Sequence, residues 1–351
     1  MTPELPPAAL RLRIDEDALA DNWRALDRLS GSARAGAAVK ADAYGVGVAQ
    51  AVPVLAAAGA RDFFVAHWSE CAAVLDLDID PAAIAVLHGP ITPQEAAYGK
   101  ALGVRPVINS LAQAAHWHAV GGGACHLMVD TGINRLGIAP EHVDDPVIVA
   151  LQVEVLLSHL ACADEESAAN ARQLEIFRSI AAQHDAPVKS LANSAGITLG
   201  KDYAFDMTRP GLSLYGGVPV DALAGQIRPV VHPQAAIIQR RTLKPGDTVG
   251  YNALFQAPHA MEAAVVSIGY ADGFLRCRGA GAALQHDGQA LPILGHVSMD
   301  MVVVDAGRAP QLREGDFLDI PFDLPAESAR SGLSQYELLT TLGDRFTRQR
   351  L

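Results

Sequence analysis

Between about residue 36 and residue 209, short apolar stretches alternate with Ala-rich helical ones. No other feature of the chain constrains its fold as much. The strand candidates are "AGAAVK", "DFFVAH", "AAIAVLH", "VRPVIN", "CHLMVD", "VEVLLSH", "VKSLAN" and "AFDMTR". Segments of helical spacing such as "SLAQAAHWHAV" and "ESAANARQLEIFRSIAAQH" separate most of them. Strands that alternate with helices form parallel sheets. Eight units point to an α/β fold closed as a (β/α)8 TIM-type barrel, with a doubly wound open sheet as the rival. The strand candidates end in Lys40, His67, His88, Asn109, Asp130, His159, Asn193 and Arg209. Some of these simply mark where a strand leaves the core. A lysine, several histidines and an arginine together also suit a barrel whose active site lies at the C-terminal strand ends.

After about residue 225 the pattern changes. "HPQAAIIQRR", "MEAAVVSIGY", "QALPILG" and "MDMVVVDA" are β-rich, and the turns between them are "KPGD", "HDGQ" and "REGD". Asp287-Gly288 signals a tight hairpin. Helical spacing returns only in the last thirty residues. We expect a barrel over residues 10–225 and a mostly β C-terminal domain over 226–351. "ALRLRIDEDAL" alternates apolar and basic residues, so residues 1–16 are expected to pair with that second domain before Asp15 caps the first helix.

Composition narrows the function. The net charge of -12 disfavours nucleic acid or an anionic membrane surface as a partner. No apolar run has the length of a membrane span. "MTPELPPAAL" lacks the basic and apolar regions of a signal peptide. Cys71, Cys125, Cys162 and Cys277 are scattered, without a C-x-x-C pair, which fits reduced thiols and a cytoplasmic enzyme.

Lys40 draws attention because "AAV" before it belongs in a core, whereas most lysines are exposed. A buried lysine has a depressed pKa, and its amine is then a nucleophile. Tyr44 follows four residues on, with Gly45 and Gly47 beside it. If a helix starts after the strand, the tyrosine hydroxyl and the helix N-terminus can meet one anion. An amine beside a phosphate seat suggests pyridoxal phosphate.

"AVKADAYGVG" resembles the cofactor-lysine motif of the alanine racemases, the barrel-type family of pyridoxal-phosphate enzymes. "VDTGINRLG", "SHLACADE", "LANSAG", "RPGLSLYG", "SIGYADGFLR" and "LGHVSMDMVVVD" follow in the family's order. With "IDEDALADNWRAL" and "YELLTTLGDR", the resemblance covers almost the whole chain. It implies that Lys40 links covalently to the cofactor and acts as base on one face of the substrate. Tyr270 in "SIGYADG" becomes the base on the other face and comes from the partner subunit of a homodimer. It implies further that His159 packs on the cofactor ring and Arg209 donates to the ring nitrogen. Tyr44, Ser194 and the N–H groups of Gly211 and Leu212 take the phosphate. Arg135 holds the substrate carboxylate, and Met299 approaches the substrate from the other subunit. The implied reaction interconverts L-alanine and D-alanine, for peptidoglycan. A tyrosine titrates near 10 in water, so Tyr270 needs help to act as a base. Taken alone it is equally a half-buried strand residue.

Several positions depart from the family pattern. Many relatives carry a carbamylated lysine where this chain has Met128, two residues before the aspartate of "DTG". His296 replaces an arginine, and "LGDRFTRQRL", the stretch in which many relatives place a phosphate-contacting tyrosine, has Phe346 and no tyrosine after Tyr336. Three other readings stay open. A racemase of serine or lysine would differ in the pocket near Tyr270 and Met299. A decarboxylase of similar plan would show a cysteine near the β-domain site. A non-catalytic pyridoxal-phosphate carrier would lack the β domain.

Overall fold

Seven short strands lie side by side in one parallel ladder: Ala37–Ala38, Phe63–Val65, Ile84–Val86, Arg105–Ile108, Ala124–Met128, Gln152–Leu157 and Val188–Ser190. The structure, a computed structural model, describes residues 6–351. Residues 1–5, part of the stretch expected to pair with the β domain and to lack a signal peptide, lie outside the described residues. Phe63–Val65 and Ile84–Val86 are buried throughout, as expected for parallel strands covered on both faces. An eighth strand, Met207–Thr208, pairs in parallel with Arg34–Ala35. The Gly36 N–H donates to Thr208 O at 2.9 Å and the Ala38 N–H to Pro210 O at 2.9 Å. On its other side the Asp206 N–H donates to Lys189 O and the Arg209 N–H to Ala192 O. These bonds join the eighth strand to the first and the seventh, so the sheet curls into the expected barrel and the open sheet is excluded.

Helices pack outside the ladder. Leu19, Trp23 and Leu26 form the buried stripe of Glu16–Leu29, at helical spacing. Thr92, Ser110, Asp145 and Ser167 each accept a backbone N–H of the first turn that follows, so strand exits become helix starts at N-cap side chains. Lys40, His67, His88, Asn109, Asp130, His159, Asn193 and Arg209 all lie one to three residues past the C-terminal ends of their strands.

The chain divides into two compact units. Asp17–Arg228 holds the barrel; the described residues up to Glu16 join Pro229–Leu351 in the other. In the second unit the long strand Val231–Leu243 pairs antiparallel with Met261–Val266, Phe317–Asp319 and Leu10–Ile14. The order of pairing runs from Met261–Val266 through Val302–Asp305, Gln289–Leu294, Ala283–His286 and Phe317–Asp319 back to Val231–Leu243. The ladder therefore returns to the strand pair that began it. Asp287 (φ 47°) and Gly288 (φ 77°) make the tight turn between Ala283–His286 and Gln289–Leu294. The helices Leu324–Ser331 and Gln335–Thr340 lie within the last thirty residues, and Thr347–Arg350 closes the sheet in parallel with Leu10–Ile14. No described helix is long and apolar enough to cross a membrane.

Candidate active site

Lys40 stands two residues past its strand, at the start of an unusual turn. Ala41, Asp42, Ala43 and Tyr44 have φ of 53°, 52°, 52° and 56°. This is a left-handed turn, which costs a non-glycine residue roughly 1–2 kcal/mol. The expected right-handed helix between Lys40 and Tyr44 is therefore absent, and the regular helix begins only at Val48. Backbone bonds and two carboxylates hold the turn. Gly45 and Gly47 take positive φ at its exit, where Asp42 Oδ1 accepts the Val48 N–H at 2.7 Å. At its entrance Glu70 Oε1 accepts the Ala41 N–H at 2.6 Å. Burial lowers the pKa of the Lys40 amine, and Arg135 and Arg209 push it the same way, while Glu70 opposes them.

Tyr44 is buried, with its ring stacked on Tyr215 at 5.0 Å. The Tyr215 hydroxyl donates to Ala38 O, so this stack is anchored to the lysine's own strand. A Cβ added at Gly211 would meet Tyr44 Oη at 2.2 Å, and only glycine fits there. Ser194 Oγ accepts the Gly211 N–H at 3.0 Å and the Ser213 N–H at 3.3 Å. With both lone pairs engaged, the Ser194 O–H is left to donate. Ser213 Oγ is buried without a hydrogen-bond partner. A glycine floor, a serine hydroxyl with its proton to donate and an orphan hydroxyl suit a phosphate group. The Gly211 N–H, expected to face it, is taken by Ser194.

Arg209 is buried, yet its guanidinium donates only to neutral oxygens, Ser190 Oγ at 2.5 Å and Ser158 O. Burial pushes its pKa down to about 10, so it stays charged at neutral pH. Next in the chain to Ser158, burial and then Arg209, Arg135 and Lys40 push the His159 imidazole down to about 3, which leaves it neutral. Gln173 donates to His159 O and to Thr131 Oγ1, while Thr131 Oγ1 and Ser158 Oγ are 2.8 Å apart.

Arg135 sits on the loop closed by the Val129–Ile138 bridge. Asp130 accepts the N–H groups of Gly132, Asn134 and Arg135, so a carboxylate and the backbone shape this loop. Buried Met128 lies beneath it. Asn109 and Asn193 serve the backbone: Asn109 donates to Leu87 O and Val107 O, and Asn193 Oδ1 accepts the Gly196 N–H. The His67 and His88 rings meet edge to face at 4.2 Å.

In the β unit, Tyr270 and Met299 come together. The Tyr270 N–H donates to Ser298 O at 3.1 Å and the Ala271 N–H to Met299 O at 3.0 Å. Gly269 allows this approach, since a Cβ there would meet both Ser298 O and Met299 O at 2.3 Å. Buried Asp272 accepts the Gly269 N–H and the Arg345 Nε at 2.6 Å, and Arg345 Nη1 reaches Asp300 at 2.8 Å. Phe346 is buried and Tyr336 and His296 are exposed within this unit. Sequence reasoning passed over Glu70, Ser213 and Arg345. Ser213 sits inside "RPGLSLYG", where its position could have marked it; the other two act on backbone or on a distant aspartate and left no local signal. A groove of about 620 Å3 opens at the opposite, N-terminal strand ends, beside Val153, His184 and Ala186, and holds none of these residues.

Comparison with known proteins adds to this geometry. The family model "Alanine racemase, N-terminal domain" matches residues 14–219 and "Alanine racemase, C-terminal domain" matches residues 230–350. An alanine racemase of Rhizobium meliloti is 40% identical over 99% of this chain and 98% of its own length. A biosynthetic alanine racemase of Agrobacterium fabrum is 42% identical over 98% of this chain and 94% of its own. Among solved structures, the alanine racemase of Bartonella henselae with covalently bound pyridoxal phosphate superposes with a TM-score of 0.89. It is 32% identical and covers 98% of this chain and all of its own.

Proposed function

The chain belongs to the alanine racemase family of pyridoxal-phosphate-dependent isomerases, and from that premise we propose how its own residues interconvert L-alanine and D-alanine. Lys40 is the covalent attachment point. Tyr44, Ser194 and Leu212, with Gly211 as the floor and Ser213 as a further donor, hold the phosphate. When bound, the cofactor draws electrons from the substrate Cα and so eases removal of its proton. Arg209, a donor with no acceptor, would face the ring nitrogen and keep a proton from settling there. His159, kept neutral, packs against the ring. Arg135 offers a planar fork to the substrate carboxylate.

Racemisation needs one group to remove the α-proton and another to supply a proton on the opposite face. Lys40 is proposed for one face and Tyr270 of a partner subunit for the other, with Met299 on the wall of the alanine pocket. The single observation that carries this reading is the Lys40 amine. It stands two residues past its strand, on the rim that also carries His159 and Arg209, and burial there lowers its pKa. A homodimer with shared sites, a cytoplasmic location and a supply of D-alanine to peptidoglycan complete the proposal. The test is solvent exchange in deuterated water with each enantiomer of alanine, serine and lysine. Alanine is expected to exchange its α-proton and racemise fastest. No exchange with alanine, but exchange with serine or lysine, would move the assignment to another amino acid.

A further inference from the structure

We propose that Glu70 is a positioning residue for Lys40: its carboxylate fixes the peptide that follows the lysine and sets the charge around the amine. The inference rests on Lys40 being the cofactor attachment point and one of the two bases.

Glu70 ends the short turn Trp68–Glu70, which follows the strand Phe63–Val65. That strand is the immediate neighbour of Ala37–Ala38, so both exits open on one rim. The carboxylate bridges the two exits. Oε1 takes the Ala41 N–H at 2.6 Å, while Oε2 takes the Ala66 N–H at 2.6 Å and the His67 N–H at 3.0 Å. Such charge-assisted bonds are about twice as strong as neutral ones. Ala41 is the first left-handed residue of the turn and follows Lys40 directly. Holding its N–H fixes the plane of the peptide between residues 40 and 41, and with it the direction in which the lysine side chain leaves. The left-handed run is strained, so a pin at its entrance opposes relaxation toward a right-handed turn that would swing the amine away.

Charge supports the same role. Arg135 and Arg209, both cationic, push the Lys40 amine toward proton loss and the Glu70 anion opposes them, while His88 and His159 also interact with the amine. A plain alternative exists, in which Glu70 only caps its own turn through Ala66 and His67.

The test compares holoenzymes carrying Glu70→Gln and Glu70→Ala with the parent. Three quantities are read: kcat and KM for alanine across pH, the visible absorbance of the bound cofactor across pH, and hydrogen–deuterium exchange in residues 40–48 and 64–70. A glutamine keeps the shape, but it lacks the charge and cannot accept on both of its ends. Under the proposal kcat falls, on the order of a hundredfold for Glu70→Ala, as when a reacting group is displaced by about 1 Å, while KM changes little. The acidic limb of kcat/KM and the titration of the visible band both move to lower pH in Glu70→Gln, because the anion opposing proton loss is gone. Exchange quickens across residues 40–48. If Glu70→Ala does not fold, Glu70→Gln alone decides. Faster exchange confined to residues 64–70, with kcat and both pH curves unchanged, would overturn the proposal in favour of simple capping. The underlying reading fails differently: a Lys40→Ala protein that keeps the cofactor's covalent visible band removes the premise whatever the Glu70 variants do.

Discussion

Tyr270 owes its position to backbone. Its N–H and that of Ala271 are held by Ser298 O and Met299 O, and none of these bonds uses the phenol. Tyr270→Phe should therefore preserve the turn. Racemisation is expected to fall by at least about a hundredfold, the scale of a lost general base, while the cofactor's visible band at Lys40 persists. Loss of that band in the same variant would show that the assigned role is wrong. Two histidines set a second expectation. His126 and His159 are each pushed down to about 3 when folded, chiefly by burial, from an ordinary 6.5. Between those values the unfolded chain binds protons that the folded one refuses. Stability must fall as pH drops below 6.5, by up to about 1.4 kcal/mol per pH unit for each imidazole. His126 Nδ1 is also buried without a hydrogen-bond partner. Denaturant midpoints at pH 7 and pH 5 should differ less in His126→Leu than in the parent. Equal differences would show that His126 is not the group responsible.

At the level of elements, the turn bearing Tyr270 depends on a clamp from the chain's far end. Arg345 joins buried Asp272, in the tyrosine's turn, to Asp300 beside Met299. Arg345→Ala leaves the Asp272 carboxylate short of its cation, an omission that costs about 1–3 kcal/mol. A lower melting temperature and a lower kcat are expected together, with partial recovery in Arg345→Lys; an unchanged kcat would mean that the clamp does not position the turn. Elements of this kind also mark how much was legible. Eight strand exits and the Asp287-Gly288 hairpin were visible as periodicity and turn chemistry, because both are local. The left-handed turn after Lys40 was not. Only the two glycines after it hinted at positive φ, and the residues that adopt it are an alanine, an aspartate, another alanine and a tyrosine. Backbone bonds and carboxylates hold them there, one of the carboxylates twenty-nine residues further on from Ala41. Asn109 and Asn193 are among the strand ends for which the plain reading suffices: they are spent on backbone carbonyls and a turn N–H.

For the whole molecule, the proposed sharing of sites makes a sharp prediction. Lys40→Ala and Tyr270→Phe subunits are each inactive alone. Mixed and allowed to exchange, half of the dimers should be hybrids with one intact site, restoring roughly a quarter of parental activity. No recovery after exchange would place both bases in one chain. Exposed Met299 and Met301 beside the tyrosine's turn are the apolar surface that such a partner would cover. The proposed pairing of Lys40 with Tyr270 comes only from resemblance, since the two are far apart in sequence and no periodicity links them. The Arg135 loop gives the molecule a property of another kind. A lysine carbamate forms reversibly from an amine and dissolved carbon dioxide, and it is lost in acid. In this chain Asp130 holds the backbone of that loop, and the neighbouring Met128 cannot be carbamylated. If Arg135 holds the substrate carboxylate as proposed, that grip is uncoupled from the bicarbonate content of its surroundings.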